Sequence, residues 1–139
     1  MRRSNCYGYF APSFMWKYKQ NDVVIPEVTN TEALFEQVTE EGLWEKLVVQ
    51  IGKDFQSAGI AFYPQAGAAP EKLARDLHET LYLLLTERFN DYLSLLYIVD
   101  VPEKEVKAIK ALDTVDISAE VCFLVLRREW QKVWLKNRL

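Results

Sequence analysis

The chain has 139 residues, half of them hydrophobic, 27% charged and 13% aromatic, with only five Gly and five Pro. That composition excludes a disordered, collagen-like or low-complexity chain and predicts one domain, which at this size buries about 68% of its unfolded surface and needs no metal or disulfide staple. The formal net charge of −3 is unevenly placed: residues 1–20 and 121–139 each carry +4, while residues 21–120 hold nineteen acids against eight bases, a net −11. Opposite potentials of this kind steer association, within one chain or between subunits.

Residues 1–28 read as an aromatic arm rather than a helix. Pro12 and Pro26 interrupt it, and Phe14, Trp16 and Tyr18 alternate with Met15, Lys17 and Lys19. Period two is a strand signal, so a short strand or hairpin is expected here, and a lone hairpin needs something to lie on. Six aromatics fall between Tyr7 and Tyr18. Such an arm either covers its own helical core or docks on another chain.

From residue 29 to 139 the pattern is that of a single helical domain. Thr29-Asn30-Thr31-Glu32 fits a capping box, followed by Leu34, Phe35 and Val38 on one face. Gly42 breaks the pattern. A second stripe runs Trp44, Leu47, Val48, Ile51 and Phe55 and ends near Gly59, a residue suited to a left-handed cap. Residues 60–69, with Pro64 and Gly67, form the longest connection and the place for any hinge.

Pro70 then opens a helical stripe that includes Leu73, Leu77, Leu81, Leu84, Phe89, Leu93 and Leu96 and reaches residue 98. At 1.5 Å per residue it would be about 43 Å long, against a diameter of roughly 37 Å for a compact globule of this size. It is expected to be the central helix. Asp100, Pro102 and Glu103 supply an N-cap, a first-turn proline and an N3 acid for a short helix with Val106, Ile109 and Leu112 inward. Asp116 or Ser118 caps the last helix, whose first half, Ile117 to Leu126, is apolar on nearly every side and should be the most buried element. Its second half is basic, with Trp130 and Trp134 among Arg127, Arg128, Lys132 and Lys136. The expected fold class is all-α: four or five helices around one long central helix, with an extended aromatic N-terminal arm.

The junction Tyr97-Ile98-Val99-Asp100-Val101-Pro102-Glu103-Lys104 and the segment Arg127-Arg128-Glu129-Trp130-Gln131-Lys132-Val133 resemble those of a group of short, uncharacterised bacterial helical proteins. The resemblance covers about residues 75–136. That group commonly has Arg where this chain has Ile98, residues 1–70 have no counterpart in it, and the resemblance implies a helical fold but no activity.

Tested against catalytic chemistry, the residues fall short. His78 has Tyr82 where a helical metal motif needs a second His, and Arg75 and Ala74 precede it, so it reads as structural. Cys122 sits among apolar residues as a small hydrophobe, and Cys6 lies near Arg2 and Arg3 with no adjacent base. Carboxylate pairs such as Glu40–Glu41, Glu87–Asp91 and Asp113–Asp116 fit solvated faces, and Gly59 and Gly67 make no phosphate loop. No catalytic residue, cofactor or metal site is assigned. With two distant cysteines, no run of 18 apolar residues and no signal-like N-terminus, a reducing, cytoplasmic location is expected.

The expected function is non-catalytic: a helical interaction or assembly protein that self-associates, with Phe14, Trp16, Tyr18, Arg127, Arg128, Trp130 and Trp134 as the partner-binding residues. The alternative is a nucleic-acid-binding accessory protein, whose basic and aromatic C-terminal helix would contact phosphates and stack on bases. Its pI of about 5.3 argues against that alternative. Binding of the same helix to a membrane surface is a third use of Trp among Lys and Arg.

Overall fold

A computed structural model describes residues 27–139. The aromatic arm and its strand or hairpin fall almost wholly outside them, as do Phe14, Trp16 and Tyr18. The described residues are all helical in their regular structure: α1 Thr31–Glu40, α2 Trp44–Ser57, α3 Pro70–Glu87, α4 Phe89–Val99, α5 Glu103–Lys107 and α6 Thr114–Arg138. The all-α expectation holds, with six helices among the described residues where four or five were expected.

The first two helices end as their glycines predict. Gly42 and Gly59 both have positive φ (68° and 76°). After α1, Leu43 N–H donates to Val38 O and Gly42 N–H to Thr39 O; after α2, Ile60 N–H donates to Phe55 O and Gly59 N–H to Gln56 O. These are paired Schellman bonds. In each, the apolar residue beyond the cap is buried with its partner a turn back, Leu43 with Val38 and Ile60 with Phe55. Asn30, rather than Thr29, caps α1, its Oδ1 accepting from Ala33 N–H at 2.8 Å. The 60–69 connection is tied to α2, since Phe62 stacks on Phe55 at 4.6 Å and the Trp44 indole donates to Ala66 O.

The expected 70–98 helix is broken at Arg88, which has φ −139° and ψ 61°. No Pro or Gly marks the site. Thr86 Oγ1 donates back to the Tyr82 carbonyl at 2.9 Å, a bond that bends helices, and Arg88 pairs with Asp91 at the start of α4. The break also removes a conflict of faces, because the buried row Leu73, Leu77, Leu81, Leu84 and the buried row Tyr92, Leu95, Leu96, Val99 would be rotated by roughly 50° from each other on one straight helix. Phe89 and Leu93, counted into the inward stripe by spacing, are instead about half exposed.

The hub is α6, about 37 Å long by its 25 residues, which touches each of the other five helices. Its second half is as deeply buried as its first: Val125, Leu126, Glu129, Trp130 and Leu135 are at most 1% exposed. Burying a side chain of this size contributes about 1.5–3 kcal/mol. The helix starts earlier than expected, with Asp113 as its cap (Oδ1 accepting from Val115 N–H at 2.7 Å). Asp100 likewise ends α4 in a left-handed conformation (φ 71°, ψ 45°) instead of starting the next helix. Leu112, expected inward, is exposed.

Candidate functional site

The residues expected to meet a partner on α6 serve this chain's own fold. Trp130 is fully buried and its indole N–H donates to Gln37 Oε1 of α1 at 2.9 Å. Arg128 is buried against the end of α4, where Nε donates to Asp100 O at 2.9 Å, Nη2 to Asp100 Oδ2 at 2.7 Å, and Nη1 to Gln131. A non-glycine residue in the left-handed region costs roughly 1–2 kcal/mol. Arg128 grips both groups of the residue that bears this strain. Arg127 pairs with Glu105 of α5 and lies 5.5 Å from the Phe123 ring. Trp134 is buried beneath Arg138, whose guanidinium is 3.7 Å from the ring and reaches Glu41.

Beside these, α2 and α6 share a buried charged cluster that periodicity does not reveal. Lys132 Nζ donates to Asp54 Oδ2 at 2.5 Å and lies 3.2 Å from Glu129 Oε1. Gln50 Nε2 donates to Asp54 Oδ1, and Lys136 Nζ donates to Gln50 Oε1 at 2.8 Å. A polar chain therefore runs from the exposed Lys136 to the interior. Glu129 is 0% exposed and neither of its oxygens is in a well-formed hydrogen bond. Burial pushes its carboxyl well above the usual range and the Asp54 carboxylate adds to this, against the opposing pull of Lys132. One ammonium faces two buried carboxylates there, and the raised carboxyl of Glu129 is the one whose protonated form is favoured. A perturbed buried acid is also what an active site offers, but the groove between α2 and the end of α6 has Gln50, Val133 and Lys136 in its lining and not Glu129, Asp54 or Lys132.

The single histidine joins α3 to α6. His78 Nε2 lies 2.9 Å from Ser118 Oγ and 3.3 Å from Val115 O. Because Ser118 Oγ donates to Val115 O at 2.8 Å, the imidazole serves as donor to the hydroxyl, which leaves Ser118 without a base. One turn on, Cys122 is buried near Ala74 O, and burial pushes its thiol up to about 12, so it stays protonated and unreactive. Among the described residues no group of three or more His, Cys, Asp and Glu could hold a metal ion, and no helix is long and apolar enough to cross a membrane.

The outer side of α4 carries exposed apolar side chains. Phe89, Leu93 and Tyr97 follow one another at i, i+4 and i+8 with 52%, 48% and 39% exposure, while Tyr92, Leu95, Leu96 and Val99 of the same helix are buried. At the end of α3, Leu83 and Tyr82 are exposed as well. The one charge on α4, Asp91, is paired with Arg88. Comparison with protein-family models, with curated proteins and with solved structures finds no match to this chain.

Proposed function

We propose that this is a non-catalytic helical assembly protein that self-associates in the cytoplasm, two copies meeting through the outer side of α4. The exposed pair Phe89 and Leu93, one turn apart on α4, carries the reading. Contiguous apolar side chains at this exposure mark interaction sites. A second copy is the partner best suited to it, because a two-fold contact sets each surface against itself. Across residues 21–120, at −11, most faces would meet as like charges, whereas α4 offers apolar and uncharged polar side chains with Asn90 and Ser94 alongside. The buried, internally bonded state of Arg128 and Trp130 supports placing the contact on α4 instead of α6.

The test is light scattering after size exclusion for the full chain and for the Phe89→Asp/Leu93→Asp variant. The dimer should be lost in the variant while its circular dichroism and unfolding temperature stay within error. A variant that dimerises as the wild type does would overturn the assignment of the surface, and a wild type that is monomeric would overturn self-association.

A further inference from the structure

We propose that the groove between α2 and the end of α6 binds a small polyanion, a compact molecule carrying two or more phosphate or carboxylate groups. The groove encloses about 430 Å³, within the range of small-molecule sites. Lys46, Lys53 and Lys136 line it together with the apolar Val49 and Val133, and Glu45 is the one carboxylate among its lining residues.

The pairing of the cations points to the ligand. Of the thirteen Lys and Arg among the described residues, seven lie within ion-pair distance of a carboxylate and six do not. Three of those six surround this one groove. Two are held by neutral amides: Lys46 Nζ donates to Asn137 Oδ1 at 3.3 Å and Lys136 Nζ to Gln50 Oε1 at 2.8 Å. An amide oxygen orients an ammonium without cancelling its charge, so each keeps two protons to donate. The orientation is itself set from below, because Gln50 is buried and its Nε2 donates to Asp54, which turns its oxygen toward Lys136. In a chain with more acids than bases, three cations around one groove, none paired with a carboxylate and two of them oriented by amides, form a local site for negative charge.

Size follows from the surroundings. Another hollow of similar volume, about 440 Å³ between α1 and the start of α3, is lined in part by Glu32, Glu36, Glu40 and Glu71. A long polyanion would meet such acidic surface. A small one feels chiefly the charges within a screening length of about 8 Å.

The experiment titrates the full chain with inorganic tripolyphosphate, by calorimetry and amide chemical shifts, between about 50 and 200 mM salt. The expected result is one saturable site with shifts concentrated at residues 46–53 and 133–137. Lys53→Gln, at an exposed and unpaired position, should weaken it about tenfold, and Lys53→Gln/Lys136→Gln further. Lys104→Gln/Lys110→Gln removes the same charge elsewhere and should change it less than about twofold. No saturable binding, an equal loss in both double variants, or tighter binding of a DNA duplex through the same lysines would each overturn the proposal. Binding by a chain that sediments as a monomer would leave it standing, since it does not depend on self-association.

Discussion

Replacing Glu129 by Gln should stabilise this protein at alkaline pH and leave it nearly unchanged at acidic pH. The wild-type carboxyl is fully buried, lacks a well-formed hydrogen bond and competes with Asp54 for one ammonium. Because its folded pKa is raised above the ordinary value of about 4.3, the folded state holds a proton that the unfolded state releases. The favourable contribution of that proton is complete below the unfolded pKa and is lost as pH rises through the folded one, at 1.36 kcal/mol for each unit of separation. Gln keeps the shape, does not titrate and can donate its amide toward Asp54. The advantage of Gln therefore grows with pH, by up to about 1.36 kcal/mol per pH unit between the ordinary carboxyl value and the raised folded one. For a domain of this size that is a rise in unfolding temperature of about 3–4 °C per kcal/mol. Urea unfolding of both proteins at about pH 5, 6.5 and 8 gives the difference between them directly. A difference that does not change with pH, or a Gln variant less stable at pH 8 than at pH 5 relative to wild type, would refute a protonated Glu129.

The Arg128–Asp100 contact gives a double-mutant test: Asp100→Gly should stabilise by about 1 kcal/mol in an Arg128→Ala background, where only the left-handed strain remains, and less or not at all in the wild type. Trp130→Ala should cost about 3–5 kcal/mol in urea unfolding and Trp130→Phe less, the second reporting mainly the lost bond to Gln37. With Cys6 replaced by Ser, the Cys122 thiol should be silent to a thiol reagent in the folded protein at neutral pH and react only as fast as the chain opens, because burial holds it near 12.

The helices themselves were legible from apolar spacing, and so were two of their ends, since Gly42 and Gly59 announce left-handed caps locally. The cap at Asp100 was not, because what sustains a non-glycine residue there is Arg128, 28 positions away. The break at Arg88 has the same character. Its local contributor, Thr86, is weak, and the decisive factor is the direction in which two buried rows must face. On α6 the sequence shows basic side chains among tryptophans but not what they pair with: Arg128 meets Asp100 and Lys132 meets Asp54, both far away in the chain. Trp130, read as a binding residue for its amphipathic ring, finds its polar partner on α1. Phe89 and Leu93 fall in the inward stripe by spacing but are about half exposed, since spacing alone does not say which of two adjacent apolar stripes a neighbour covers.

Self-association is the central claim, and sedimentation equilibrium of the unmodified chain tests it most directly. The account predicts a concentration-dependent mass approaching twice 16.2 kDa. A constant mass of 16.2 kDa up to concentrations on the order of several hundred micromolar would contradict it.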